Sequence, residues 1–138
     1  MTIAVPRERV LELMTDPQRA PEWQAGLARH EQVQGEPGRP GSVSKLHFDN
    51  VPGDGVMIEK VERRDAHSLD CVYLLGPVRN ESHSTFHDVD GGTEWLAEHV
   101  FLLPPGMAEG IGEQGQQAFR ANTQGSMEQF KAWCEANA

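Results

Sequence analysis

Six histidines are the side chains best suited to proton transfer or metal binding near neutral pH. His83 and His87 have the four-residue spacing that binds zinc on a helix. On a strand the same spacing separates two residues by roughly 13 Å, which is too far for one metal ion. We therefore predict no metal site, and we expect these histidines to be solvated on the side of the sheet that carries Glu94 and Glu98.

The strand predicted over 93–103 has one uncharged face, if His99 is neutral, and one face with Glu94 and Glu98. Burying an unpaired carboxylate is costly, so the uncharged set should face inward: Thr93, Trp95, Ala97, His99 and Phe101. A two-residue turn at Gly91-Gly92 would pair Ser84 with His99, Phe86 with Ala97 and Asp88 with Trp95. It would also bring Asn80, Ser82, Ser84 and Phe86 to the inner face. A tight turn at Gly76-Pro77 adds Leu69, Cys71, Tyr73 and Leu75.

This inner face contains the candidate site. His99 is either a core histidine bonded to a neighbouring hydroxyl, or a group that orients a ligand or acts as a general acid or base. Tyr73, the only tyrosine, either packs or contacts a ligand through its hydroxyl. A stripe of Asn80, Ser82 and Ser84 is unusual for a dry core and favours a pocket with a few placed polar groups.

Other candidate groups are less informative. Glu59 and Glu62 lie on the strand predicted over 55–65, whose facing the sequence leaves open, so one of them is a candidate interior acid. Cys71 and Cys134 are expected to be free, buried thiols, because a disulfide scaffold needs more cysteines. The chain lacks the glycine-rich phosphate motifs and the GxSxG elbow, so we predict no nucleotide cofactor and no serine hydrolase chemistry.

The composition favours one soluble domain over residues 1–138. A net charge of −9 argues against nucleic acid and against an anionic membrane surface. No apolar run approaches the roughly 20 residues of a membrane span, and the N-terminal stretch lacks a secretory apolar region. We therefore expect a cytoplasmic protein without membrane insertion.

The chain order predicts two short N-terminal helical elements, a meander of six strands and a long C-terminal helix. Val10, Leu13 and Met14 form an apolar stripe on the first element, and proline and glycine clusters separate the strands. The helical elements cover 5–14 and 21–23, the strands cover 27–34, 42–50, 55–65, 68–76, 78–89 and 93–103, a flexible connection covers 104–114, and the long helix covers 115–136.

This order, with several short segments, resembles the START-like (SRPBCC) superfamily, which includes the Bet v 1-like, polyketide cyclase/dehydrase and Hsp90-activator-like families. The matching segments lie at 3–10, 15–17, 21–23, 38–42, 92–94 and 127–131. The resemblance implies an α+β helix-grip fold: a curved antiparallel sheet of six to seven strands around the long C-terminal helix. The family's first strand has about ten residues, whereas only five precede Pro6 here. We therefore expect either a short first strand or a last-strand edge covered by another chain, which would be a homodimer.

Three functional hypotheses follow from the inner face and the resemblance. The first is binding of a hydrophobic or aromatic small molecule, lipid- or polyketide-like, without a cofactor. The second is a cyclase/dehydratase-type enzyme in which His99 or Tyr73 moves a proton. The third is an Hsp90-activator-like interaction module. The residues predicted to line the pocket are Trp23, Leu69, Cys71, Tyr73, Ser82, Ser84, Phe86, Trp95, His99, Phe101, Met127 and Phe130.

Overall fold

The computed structural model describes residues 1–49 and 54–138. It contains seven strands and three helices in chain order. These are β1 (Thr2–Ile3), α1 (Arg7–Met14), α2 (Ala20–Trp23), β2 (Leu27–Gln34), β3 (Val43–Phe48), β4 (Val56–Arg64), β5 (Ser68–Leu75), β6 (Val78–Val89), β7 (Gly92–Leu102) and α3 (Pro105–Asn137).

All seven strands form one antiparallel sheet in the order β1-β7-β6-β5-β4-β3-β2. The helix-grip fold predicted from the sequence is confirmed, with the first strand reduced to two residues. The predicted strand 42–50 begins and ends inside its expected bounds, and its last residue lies outside the described part of the chain. Consecutive strands pair because the turns between them are short.

The short helix α1 seals one end of the sheet. Its Val10, Leu11 and Leu13 are buried, because positions three and four apart share one face of a helix. The hydroxyl of Thr15 then donates to the Leu11 carbonyl at 2.7 Å and closes the last turn. The apolar stripe predicted for this segment is therefore present, with Leu11 added to it.

The predicted turn between the last two strands was displaced by one residue. The loop is Asp90-Gly91, and Gly92 already pairs with Val89. A side chain at Gly92 would lie 2.0 Å from the Ile3 carbonyl oxygen, so this glycine is needed where β1 crosses close to the strand. The pairs are therefore Ser84 with Ala97, Phe86 with Trp95, Ser82 with His99 and Asp88 with Thr93. Each residue of β6 therefore pairs with a residue of β7 two positions earlier than predicted. A shift of two residues leaves every side chain on its predicted face.

The flexible connection predicted for residues 104–114 is wrong, because this segment is the start of α3. Pro105 occupies the first helical position, where a proline is tolerated. Gly112 has φ 60 and ψ −164 and divides the element into two helical pieces. Gly112 is therefore a real break in the helix. The neighbouring alanine, glutamate and glutamine residues favour helix on both sides of that break.

The core lies where the C-terminal half of α3 meets the sheet. Phe130 and Cys134 are fully buried there and pack with Phe86 and Trp95. Further toward the helix N-terminus, Phe119, Thr123 and Met127 stay only half-buried along the same stripe. The helix therefore grips the sheet tightly at one end and loosely at the other.

Candidate functional site

The structure divides the twelve predicted pocket residues into two groups. Seven belong to the packed end: Trp23, Leu69, Cys71, Ser84, Phe86, Trp95 and Phe130. The Trp23 and Phe130 rings meet edge to face with centroids 4.8 Å apart. Trp95 Nε1 donates to Ser84 Oγ at 3.0 Å, so this buried serine already has a partner inside the protein.

The other five residues are half-buried on the loosely gripped side: Tyr73, Ser82, His99, Phe101 and Met127. Phe101 stacks on Phe119 of α3 with ring centroids 4.5 Å apart. This aromatic stack bridges the sheet and the helix. Tyr73 and Met127 also pack against the buried core cluster, so the five residues form its partly exposed margin.

A row of polar side chains crosses the concave face beside them. The strand register aligns Gln32 with Ser44, Ser44 with Glu59, Glu59 with Tyr73, and Tyr73 with Asn80. Ser44 Oγ donates to Gln32 Oε1 at 2.9 Å. The row continues the predicted Asn80–Ser82–Ser84 stripe across four further strands, so the interior is more polar than the sequence alone indicated.

Glu59 is the functional candidate whose position the sequence could not assign. The bulge between Val61 and Arg63 places Glu62 on the exposed side, so Glu59 shares the inner face with Val61. An alternation of Met57, Glu59 and Val61 was visible in the sequence. The choice of face, however, depends on the bulge, which the sequence does not specify.

Glu59, Tyr73 and Cys71 form a hydrogen-bonded cluster in this interior. Burial raises the pKa of the Glu59 carboxyl, and its hydrogen bond with Tyr73 opposes that shift. Burial first, and then the nearby Glu59 charge, hold the pKa of Tyr73 far above its ordinary value. Burial likewise raises the pKa of the Cys71 thiol to about 12, with Glu59 contributing. The raised pKa values favour the protonated forms of all three side chains. Tyr73 is therefore neutral and can donate a hydrogen bond.

His99 lies one row away from this cluster. Its Nδ1 is 3.3 Å from Asn80 Oδ1, and its ring stacks on Phe101 with centroids 6.1 Å apart. Burial lowers the pKa of His99, so the neutral imidazole is favoured. A neutral imidazole in contact with an amide oxygen donates from one ring nitrogen and leaves the other as an acceptor.

Two buried nitrogen atoms of the described residues have no hydrogen-bond partner: Trp23 Nε1 and His30 Nδ1. His30 pairs with the fully buried Leu46 and so faces the same interior. An unpaired buried polar group costs roughly 1–3 kcal/mol.

His83 and His87 lie on the outer face of the sheet, as predicted, and there His83 pairs with Glu98 and His87 pairs with Glu94. His83 Nδ1 contacts an Asp70 carboxylate oxygen. In residues 1–49 and 54–138, no cluster of three or more histidine, cysteine or acidic side chains could hold a metal ion.

The sheet, the gripping helix and the partly open interior define the class of START-like proteins. Within that class, the chain belongs to the family described as polyketide cyclase / dehydrase and lipid transport, whose model matches residues 1–135. No curated protein matches the sequence significantly.

Solved structures share the fold at low sequence identity. Ara h 8.0201 has a TM-score of 0.78 at 16% identity, with 99% of this chain and 95% of that chain covered. TTHA0849 from Thermus thermophilus has a TM-score of 0.76 at 18% identity, with coverage of 100% and 95%. The di-domain ARO/CYC StfQ from the steffimycin biosynthetic pathway has a TM-score of 0.70 at 16% identity, and this chain covers 49% of it.

None of the described helices has both the length and the apolarity that a membrane crossing needs. The two free cysteines predicted from the sequence are confirmed as buried thiols.

Proposed function

We propose that the protein binds a hydrophobic or aromatic small molecule, lipid- or polyketide-like, between the sheet and the loosely gripping half of α3. The observation that carries this proposal is the polar row through Glu59, Tyr73 and Asn80 inside an otherwise apolar interior. Tyr73 and Glu59 are crowded by protein on most sides, yet they keep accessible surface. That combination is typical of the lining of an internal space and not of a packed core.

The same arrangement favours one orientation of the ligand. Its apolar body would lie against Phe101, Phe119 and Met127, which are half-buried and lack full packing. A carbonyl or hydroxyl on the ligand would then accept from Tyr73 or from protonated Glu59. This matches the usual design of small-molecule sites, in which a few polar groups fix orientation within an apolar lining.

A second candidate function is a cyclase/dehydratase-type reaction in the same space. It is favoured by two titratable groups whose pKa values are displaced in opposite directions. Burial raises the pKa of Glu59, so it can donate a proton, while burial lowers the pKa of His99, so it can accept one. Active sites often contain two titratable groups whose pKa values are moved apart, so that one acts as the acid and the other as the base. The family description and the name of StfQ are consistent with this chemistry.

The test of the binding proposal is a titration with 8-anilinonaphthalene-1-sulfonate, an aromatic apolar probe, combined with native mass spectrometry of the freshly purified protein. Phe101→Glu places a charge on the apolar wall and should weaken probe binding at least tenfold. Glu98→Gln, on the outer face of the same strand, is the control and should leave affinity unchanged. Equal affinities for both variants, with no co-purifying molecule, would refute the proposal.

The two candidate functions separate on a substrate test. A poly-β-carbonyl thioester is incubated with the protein, and mass spectrometry follows the loss of one water. His99→Ala should abolish that loss if the protein is an enzyme, and it should only shift probe affinity if the protein is a binding module. A substrate recovered unchanged with the unmodified protein would exclude the enzymatic alternative for this substrate class.

The remaining partner assignments are also proposals. The net charge of −9 supports a soluble small-molecule partner over nucleic acid, because phosphate binding needs a basic face. We place the protein in the cytoplasm and propose that it works as a homodimer.

A further inference from the structure

Glu59 is the one acidic residue in the polar row that crosses the inner face of the sheet. It lies on β4, between β3 and β5 and away from both edges of the sheet. The register places Ser44 on one side of it and Tyr73 on the other, and Gln32 and Asn80 extend the row. These four residues are polar without a charge, with Tyr73 held neutral by its raised pKa. An ionised carboxylate is costly to bury, so its place in this otherwise neutral row needs an explanation.

The neighbouring side chains leave most of the acceptor capacity of Glu59 unused. Tyr73 donates a hydrogen bond to it. The hydroxyl of Ser44 donates to Gln32 Oε1 at 2.9 Å and so has no second proton to offer. The amide nitrogen of Gln32 donates to Ser42 Oγ at 2.7 Å. An ionised carboxylate has about four acceptor positions, and Glu59 keeps accessible surface through which another donor can reach it.

The lysines and arginines around the interior do not face Glu59. On the inner face of strands β2 to β7, within residues 1–49 and 54–138, Arg64 is the only one of them. It is the last residue of β4, and its guanidinium donates to Thr15 Oγ1 at 2.8 Å. On α3, Arg120 is exposed and Lys131 lines a groove beside β1. The Glu59 carboxylate is therefore without a lysine or arginine partner in the part of the chain that the structure describes.

The other titratable side chains of the inner face do not supply a cation either. Burial lowers the pKa of His30 and that of His99, so both histidines are favoured as neutral imidazoles. Tyr73 and Cys71, which approach Glu59 from β5, are neutral when protonated and negative when not. The chain as a whole carries a net charge of −9, so its field attracts cations and repels anions. Both the local and the overall charge therefore favour a positive ligand.

We infer that the ligand is an apolar amine, and that its positively charged nitrogen pairs with the Glu59 carboxylate. This inference rests on the proposed binding function and names the chemical class of its ligand. The ammonium group would donate to the acceptor positions that the protein leaves unused. A hydrogen bond between two charged groups is roughly twice as strong as one between neutral groups. Where Glu59 is protonated before binding, its proton passes to the solvent as the amine binds.

The row also sets the orientation of such a ligand. Glu59 on β4 and Phe101 on β7 end the run that passes through Tyr73 and Asn80, three strand spacings or roughly 14 Å across the sheet. Phe101 stacks on Phe119 of α3, so this end of the run is aromatic. The amine nitrogen would therefore lie at Glu59, and the apolar body would extend toward Phe101.

The test is calorimetric titration at neutral pH with naphthylbutylamine, naphthylbutanol and naphthylbutanoate, which share a ring and a chain and differ in charge. The amine should bind at least about tenfold more tightly than the carboxylate, the equivalent of about 1.4 kcal/mol, with the alcohol between them. Glu59→Gln keeps the shape of the side chain and removes its charge, so it should weaken the amine and strengthen the carboxylate. The anionic 8-anilinonaphthalene-1-sulfonate should likewise bind more tightly to Glu59→Gln. Glu62→Gln, on the exposed side of the same strand, is the control and should leave the ranking unchanged.

The outcomes distinguish this inference from the proposed function. Equal affinities for the three probes, or a ranking that Glu59→Gln leaves in place, would overturn the inference while the binding function stands. An absence of binding by all three probes would overturn both. The ranking is measured first on the unmodified protein, so a Glu59→Gln variant that fails to fold does not remove the test. Phe101→Leu should weaken all three probes by a similar factor, and a loss confined to the amine would contradict the proposed orientation.

Discussion

Replacing Tyr73 with phenylalanine isolates the hydrogen bonds at the centre of the candidate site. The change removes one hydroxyl that bonds to Glu59 and Cys71, and it leaves the ring in place. A hydrogen bond to a charged partner contributes about 1.5–3 kcal/mol, and one between neutral groups contributes about 0.5–1.5 kcal/mol. We therefore expect a loss of about 2 kcal/mol when Glu59 is ionised, and about half of that when Glu59 is protonated.

The pH dependence of this loss has a definite sign. Burial raises the folded-state pKa of Glu59 above its ordinary value of 4.5, so protonation favours the folded protein. The stabilising contribution of this group is complete below the ordinary value, and it is lost as pH rises through the folded-state pKa. The hydrogen bond from Tyr73 lowers the pKa of Glu59, so its removal should raise that pKa further. The stability of Tyr73→Phe should then fall more steeply with pH than that of the unmodified protein.

The assay is urea unfolding at several pH values for Tyr73→Phe, Glu59→Gln and the double variant. For a domain of this size, about 2 kcal/mol corresponds to about 8 °C in melting temperature, which gives a second readout. The double-mutant cycle should give a coupling energy of about 1 kcal/mol or more. Glu62→Gln, on the same strand but exposed, is the control and should show no coupling to Tyr73→Phe. Additive effects of Tyr73→Phe and Glu59→Gln at every pH would refute the reasoning.

Three further predictions concern packing and reactivity. Phe130→Ala removes a fully buried ring and should cost about 3–5 kcal/mol in urea unfolding, so a loss below about 1 kcal/mol would contradict the packed end described above. Gly92→Ala would set a methyl group 2.0 Å from the Ile3 carbonyl oxygen, so amide exchange in β1 should accelerate, and unchanged protection would count against the close crossing. Burial raises the pKa of the Cys71 thiol to about 12 and that of the Cys134 thiol to about 11, so neither should react with Ellman's reagent at pH 8 until denaturant is added.

The order of elements and the facing of the last three strands could be predicted from the sequence. The charged pair Glu94 and Glu98 fixed which face of β7 was outward, because burying a carboxylate is costly. The tight turn at Gly76-Pro77 pairs Leu75 with Val78, as expected. This pairing determines which side chains of β5 share the inner face of β6. Turn residues and the alternation of apolar residues with a period of two are local properties of the sequence, so they can be recognised without a structure.

Other features depended on contacts between segments distant in the sequence. Two glycines in a row left the position of the β6–β7 turn open, and the close passage of Ile3 over Gly92 decided it. The facing of Glu59 depended on a bulge in β4 that only pairing with β5 defines. Neither the crossing nor the bulge has a signal within its own segment.

The sequence by itself determined the fold class, the free buried thiols and the residues available to an inner wall. The tertiary structure alone decided how that wall is divided. The C-terminal half of α3 packs Phe130 against Phe86 and Trp95, while Phe119 in its N-terminal half is only half-buried. Residue types fix what can be buried, whereas the path of a 33-residue helix across a curved sheet fixes what is buried. That path is a property of the whole packed molecule, so no local pattern could reveal which half of the helix would be more deeply buried.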